Sequence, residues 1–419
     1  MPVCKAAACP ECNRYIKGSR MTSKRQAENA VEEVAADRVI GLDAHPYMFT
    51  AAVVTGQDAR TAKTEKVYDR IPLDQLERVM KTAITPKDVI VLEASGNAFS
   101  IVARLAAIGR RALVLDSAAA ASIGKRYAIT DKIDAVKLAR VYISGLADIV
   151  WTPDAKAAER RELFFAYENA KRDSTRMRNR LWNWLSSHGM KSPKRQHLSN
   201  PDTFQAIADL PRWTPLEREI LTGMANMYIE IHALRRRLYA LIAGEVAKDP
   251  DVLKMMRLLG VRNIVAFAVA AFVGDITRFA NAKKLVAYFG LNPSVVRSGE
   301  SGGTGPLAHC GRSDVRSLLI QAAQSILRYG NDATHKWAVA LKMRKGINIA
   351  VCALARKLVV AIWYLLSGHF TPLKEADQKL RIKLTKLASD IGLKTLRNEG
   401  YKGACDFIEE KIMILLKTT

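Results

Sequence analysis

Two groups of residues in this chain have the types and spacing to handle phosphate. The stretch Leu291 to Gly303, LNPSVVRSGESGG, gathers serines, glycines and a single arginine. Glycine lets a backbone approach a bulky ligand closely. Arg297 offers a planar fork of donors that matches a phosphate. Ser298 is a hydroxyl able to attack one. Read plainly, the same residues are a polar loop between two helices. The second group is acidic. Asp43 and Glu93 stand near the ends of the apolar runs VIGLD and VIVLE, and Asp131 and Asp134 lie three apart at the start of a helical pattern. A carboxylate in an apolar strand is costly unless it is paired or binds a cation. Four acids converging from two strands and one helix would make an oxygen cage suited to Mg²⁺. Two such ions can clamp both sides of a phosphoryl transfer. The plainer alternative makes Asp131 and Asp134 ordinary acids at a helix N-terminus.

The elements that must position these groups follow from periodicity. Val39 to Val54 reads as two apolar runs broken at Asp43-Ala44-His45-Pro46, the first a short β-branched buried strand. A further strand is expected around Lys66 to Asp69, an amphipathic helix over Leu73 to Ala83 and a buried strand over Val89 to Ser95. A helix over Phe99 to Ile108 and a strand over Ala112 to Leu115, ending in Asp116, complete an alternation that implies an α/β domain over roughly residues 36–150.

Beyond Trp151-Thr152-Pro153 the pattern turns helical. Lys156 to Trp184 is a charged helix. From Leu216, the residues Ile220, Leu221, Met224, Met227, Ile231, Leu234, Leu238 and Leu241 recur at steps suited to a coiled coil. The opposite face carries Arg235, Arg236 and Arg237, a candidate grip on nucleic acid. Residues 151–250 are therefore read as a helical, coiled-coil region. In residues 251–372, LLGVRNIVAFAVAAFVGDITRF has the pattern of a helix-hairpin-helix, whose helix N-terminus suits a phosphate. A basic helix over Ser313 to Tyr329 and the apolar helix ALARKLVVAIWYLL follow the serine stretch. The tail, 373–419, reads as polar and helical. The leader, 1–35, reads as basic; its Cys4, Cys9 and Cys12 include a CPEC pair but lack a nearby fourth zinc ligand, and Met21 is a second possible start.

The chain carries 65 Lys and Arg against 41 Asp and Glu, a net charge of +24. That excess argues for a polyanionic partner, nucleic acid first. Its longest apolar stretch, Ile264 to Val273, is read as too short for a bilayer, which needs about 18 residues. No secretory signal is recognised. The expectation is a cytoplasmic protein without a membrane partner.

Taken in order, GLDAH (Gly41–His45), LEASG (Leu92–Gly96), TDKIDAVKLA (Thr130–Ala139) and GDITRFANAKKLVAYFGLNPSVVRSGESGG (Gly274–Gly303) resemble the DEDD-type insertion-sequence transposases of the one-hundred-and-ten group. These are described as bridge-RNA-guided recombinases, with pilin-inversion recombinases as relatives. The resemblance runs over about residues 38–368. It implies a RuvC-like, RNase H fold for the first domain, whose Mg²⁺-binding acids match Asp43, Glu93, Asp131 and Asp134. It implies a mostly helical second domain carrying a nucleophilic serine, matched by Ser298. It also implies dimers assembling to a tetramer on donor and target DNA, with acids and serine from different chains, and a noncoding guide RNA. Where the family usually has Thr/Ser-Lys-Arg/Gln-Gly after the serine, this chain has Ala308-His309-Cys310-Gly311, which leaves Arg312 as the candidate phosphate contact beside Arg297.

The resulting expectation is an enzyme, a DNA transposase or recombinase using Mg²⁺ and a phosphoserine step. Two alternatives stand beside it. One is a metal nuclease of the Holliday-junction-resolving kind with Ser298 idle. The other is a basic nucleic-acid-binding protein whose acids are structural.

Overall fold

The computed structural model describes residues 38–116, 130–191, 193–194, 197, 200–298, 301–307, 311–369 and 378–417. The leader cysteines, Met21 and Ala308 to Cys310 lie outside these residues. The chain divides into two compact units, Met1–Thr152 and Pro153–Thr419.

The first unit is a six-stranded mixed sheet. Its strands are β1 (Arg38–Ala44), β2 (Met48–Thr55), β3 (Lys63–Pro72), β4 (Val89–Glu93), β5 (Arg111–Leu115) and β6 (Ile149–Val150). The order across the sheet is β3-β2-β1-β4-β5-β6. β1 pairs with β4 and β4 with β5 in parallel; the outer pairs are antiparallel. The expected strand around Lys66 proves to be the middle of the longer β3, and the second apolar run is β2. On one face lie α1 (Leu76–Ala83) and α2 (Ala98–Ala107), over a core of Ile40, Leu42, Phe49 and Leu92. On the other lies α3 (Asp131–Ile143), whose Leu138 and Val141 pack against Val39, Val54 and Val91. Side chains of a strand alternate between faces, so the apolar runs of β1, β2 and β4 supply both cores. Thr130 caps α3, its Oγ1 accepting from the Ile133 N–H at 3.4 Å.

The second unit is mostly helical. Its two long helices are α4 (Ala155–Ser187) and α6 (Pro215–Lys248), with α5 (Pro201–Ala208) between them in sequence. Both long helices start on side-chain caps: Asp154 for α4, and for α6 a capping box of Thr214 and Glu217 with Pro215 in the first turn. They run antiparallel. Met177, Leu181 and Leu185 share a core with Leu221, Ala225 and Tyr228 at one end. At the other, Lys156 and Arg160 of α4 meet Asp249, at 3.1 and 2.7 Å. The coiled-coil pattern of α6 is thus partly satisfied within its own chain.

The remaining helices are α7 (Pro250–Met255), α8 (Asn263–Val273), α9 (Ala282–Tyr288), α10 (Ser313–Tyr329), α11 (Ala333–Lys345), α12 (Ile347–Leu366), α13 (Gln378–Ile391), α14 (Leu393–Asn398) and α15 (Ala404–Lys417). One core joins Phe164, Ile242, Phe272, Leu319, Leu358, Leu384 and Leu415. The middle, third and tail segments therefore share a single interior. The α7–α8 hairpin turns at Gly260, whose φ of +79° and whose approach to Ala322 and Ile326 of α10 leave no room for a Cβ. The tail clamps this hairpin. Lys383 donates to the carbonyls of Met256 and Leu258, at 2.6 and 2.7 Å, and Asp390 accepts from the Asn263 amide at 3.1 Å.

Two expectations change. The apolar stretch Ile264 to Val273 lies in the buried helix α8, but α12, with 20 residues, is long and apolar enough by composition to cross a membrane. Its Leu354, Leu358 and Ile362 are instead buried in the core. The sequence reading missed it because Arg356 and Lys357 interrupt the run. The serine stretch is a β-hairpin rather than a loop: β7 (Pro293–Ser298) pairs antiparallel with β8 (Ser301–Leu307). The β-branched pair Val295 and Val296 favours the first strand.

Candidate metal centre and serine hairpin

Four carboxylates of the first unit come together by backbone geometry. β1 and β4 are parallel, with Gly41 opposite Val91 and Leu42 opposite Leu92. Asp43 and Glu93 are the next residues on each strand and stand at the same level. α3 brings the other two. A Cβ built on Gly41 would lie 1.8 Å from the Ala135 carbonyl oxygen, so the helix backbone rests directly on β1 at this glycine. That contact sets the first turn of α3, with Asp131 and Asp134, beside Asp43.

The electrostatics match a cluster of like charges. Burial pushes the Asp43 carboxyl above the usual carboxylate range; Asp131 and Asp134 add to the effect and His45 opposes it. Burial also raises Glu93, with Asp43 and Asp134 adding and Lys137 opposing. Asp43, His45 and Asp131 each place one ligand atom within 4.8 Å of the others. His45 Nε2 lies 3.6 Å from an oxygen of each acid. This oxygen-rich set, in which burial and mutual repulsion both penalise the ionised state, fits a divalent cation, and that fit does not select among such cations.

Two neighbours escaped the sequence reading. His45 was legible only as part of GLDAH. Arg70 lies in β3 with a left-handed φ of 51°, near a bulge against β2. Its N–H donates to Thr50 Oγ1 at 3.2 Å and its Nε sits 3.7 Å from Asp131. Nothing in the local sequence marks a left-handed arginine in an edge strand.

In the second unit, Ser298 is the last residue of β7 and pairs with Ser301; Arg297 pairs with Gly302. Arg312 is engaged within the fold. Its guanidinium donates to Asp314 at 3.0 Å and stacks 4.2 Å from the Phe272 ring. Arg236 and Arg237 are exposed on α6, while Arg235 lies 3.1 Å from His232 Nε2. On the same helix the apolar stripe divides. Leu221, Ala225 and Tyr228 are buried, whereas Leu216, Ile220, Met227, Leu234 and Leu241 are exposed, the last four at seven-residue intervals.

The chain is 25% identical over 294 residues to a protein of Pseudomonas aeruginosa named "Probable family 20 transposase", covering 67% of this chain and 85% of that one. It is 36% identical over 130 residues to the "Transposase for insertion sequence element IS1111A" of Coxiella burnetii, covering 30% of this chain and 36% of that one. A relative from Sinorhizobium fredii, also bearing a transposase name, is 27% identical over 194 residues, 46% of this chain and 47% of its own length. All three of these relatives bear transposase names, one of them for an insertion sequence element. More particularly, residues 253–338 match the profile of the Transposase IS116/IS110/IS902 family.

Proposed function

We propose that the chain cuts and rejoins DNA as a metal-dependent serine recombinase with a RuvC-like first domain. The observation that carries this reading is the convergence of Asp43, Glu93, Asp131 and Asp134 from β1, β4 and the start of α3. These acids would hold the cation, Mg²⁺ by the family resemblance. When bound, a divalent cation polarises the phosphate and stabilises the charge that develops on its oxygens. Ser298 Oγ attacks phosphorus. The Oγ–P bond forms, the bond to one deoxyribose oxygen breaks, and the serine proton passes to that leaving oxygen. A second DNA strand's hydroxyl then displaces Ser298, so rejoining needs no external energy source. Arg297 holds the phosphate in this scheme.

The partners follow from charge and surface. A net charge of +24 suits donor and target DNA together with a noncoding guide RNA, and in this reading Arg235, Arg236 and Arg237 grip either. The exposed stripe of α6 supports pairing of chains into dimers and tetramers. Acids and serine from different chains would then share one site, in the cytoplasm.

The test is denaturing electrophoresis of DNA cleaved in Mg²⁺. A covalent protein–DNA adduct, lost in Ser298→Ala and in Asp43→Asn, is expected. Cleavage without an adduct would point instead to a plain metal nuclease, and tight binding without cleavage to a non-catalytic binder. Site sharing is tested by mixing Asp43→Asn and Ser298→Ala chains, each inactive alone. Activity should return in the mixture, and mixed oligomers that stay inactive would place catalysis within one chain.

A further inference from the structure

The tip of the α11–α12 hairpin combines exposed aliphatic and cationic side chains. The two helices meet at Gly346, with φ of +86°, and every residue from 342 to 349 is exposed. Three of the eight are cations, Lys342, Arg344 and Lys345. Three more are large aliphatic residues: Met343 is 80% exposed, Ile347 52% and Ile349 51%. The charge is one-sided over a longer span. Residues 333–373 contain no Asp or Glu, yet include Lys336, Arg356 and Lys357 besides the three at the tip. The tip is also firmly held, because Leu354, Leu358 and Ile362 of α12 are buried in the core below it.

Exposed aliphatic side chains among cations, in a stretch of sequence without acids, fit a polyanion that also offers an apolar surface. A bilayer span does not suit α12, whose lower part is core. RNA recognition stacks bases on aromatic rings or arginine planes, and residues 342–349 hold no aromatic and one arginine, Arg344, against three large aliphatic side chains. Aliphatic wedges flanked by cations are instead the chemistry that enters the minor groove of duplex DNA and opens a base step. Resting on the reading of this chain as a DNA-cutting transposase, we propose that the α11–α12 tip is a DNA-deforming wedge. Lys342, Arg344 and Lys345 hold the phosphates on either side of the groove, and Met343 and Ile347 press between base pairs.

The experiment measures binding of the full chain to a labelled DNA duplex in EDTA, so that cleavage is not required. Lys342→Ala/Arg344→Ala/Lys345→Ala should weaken binding about 10- to 100-fold at 0.15 M salt. It should also make the salt slope of log K shallower by about 2 to 3, at roughly 0.9 per phosphate lost. Met343→Ser/Ile347→Ser should leave that slope unchanged and abolish the duplex bend read by end-to-end energy transfer. All five side chains are exposed, and circular dichroism melting checks that both variants fold. Unchanged affinity and slope in the triple variant would overturn the inference. So would loss of RNA-hairpin binding with duplex binding intact, or loss of self-association with duplex binding intact. A parent chain that binds no duplex at low salt would sink the transposase reading itself, an outcome distinct from the others.

Discussion

Gly41 is the residue on which the acidic cluster turns, and Gly41→Ala tests that directly. The added methyl would lie 1.8 Å from the Ala135 carbonyl oxygen, 1.6 Å inside the 3.4 Å at which ordinary contact begins. It would also stand 2.8 Å from the Ala135 carbonyl carbon and 2.9 Å from the Ala139 nitrogen. All three atoms are helix backbone and cannot swing aside as a side chain can. α3 must lift from β1 by more than an ångström, separating Leu138 and Val141 from their strand partners. Overpacking of this kind costs about 1–3 kcal/mol, and with rigid backbone on both sides the upper end or beyond is expected. The lift also carries Asp131 and Asp134 away from Asp43. A misplacement of about 1 Å at a reacting centre costs on the order of 100-fold in rate. Urea denaturation followed by circular dichroism should show the stability loss, and strand cleavage in Mg²⁺ should fall at least about 100-fold. Gly96→Ala, with nothing within 4 Å of its Cβ, is the control and should fall within about 0.5 kcal/mol of the parent. If Gly41→Ala matches the parent in both measurements, α3 does not depend on this contact and the account of how the cluster is assembled fails.

Three further outcomes are expected. In metal-free buffer, the raised Asp43 carboxyl destabilises the folded chain progressively as pH climbs from its unfolded value of 3.8 through the higher folded one. Asp43→Asn should therefore melt above the parent at pH 7 and lose that advantage below about pH 4. Added Mg²⁺ should favour the parent alone, and an Asn variant that melts lower throughout in EDTA would count against the cluster. Met227→Glu with Leu234→Glu should weaken self-association in sedimentation velocity without lowering the melting temperature. Met224 and Ile231 of the same stripe are left unchanged, because they pack partly buried against the α4–α6 core. Lys383→Met should cost about 1–3 kcal/mol by denaturation, because two carbonyls at the α7–α8 turn lose a charged donor; a neutral effect would show that the tail does not clamp the hairpin.

The first unit was largely legible because its central strands are apolar on both faces and its acids interrupt them. β1, β4 and β5 announce themselves through Val, Ile and Leu, and Thr130 with Asp131 marks the start of α3. The edge strand β3, KTEKVYDRIP, shows no clean alternation, so only its Lys66 to Asp69 centre was readable. The serine hairpin was hidden for a related reason. β8 is SGGTGPL, poor in strand formers, and its pairing with β7 comes from the fold rather than from propensity. On α6, periodicity revealed an apolar stripe but not that it serves two faces, since 3.6-residue spacing says nothing about which face finds a partner in the same chain. His45 beside two carboxylates, and Arg70 with its left-handed backbone, depend on contacts between residues distant in sequence.

The order of the sheet has a consequence for solubility. An open sheet has two free edges, and each exposes a row of unpaired backbone groups on which a foreign strand can grow. Here one edge is β6, only two residues long. The other is β3, which carries Lys63, Glu65, Lys66, Asp69 and Arg70 and breaks register with β2 at two points. Charges and bulges along one edge and near-absence of the other leave no flat template for strand-to-strand growth. A chain made at high concentration is thereby steered away from cross-β growth at the edges of this sheet.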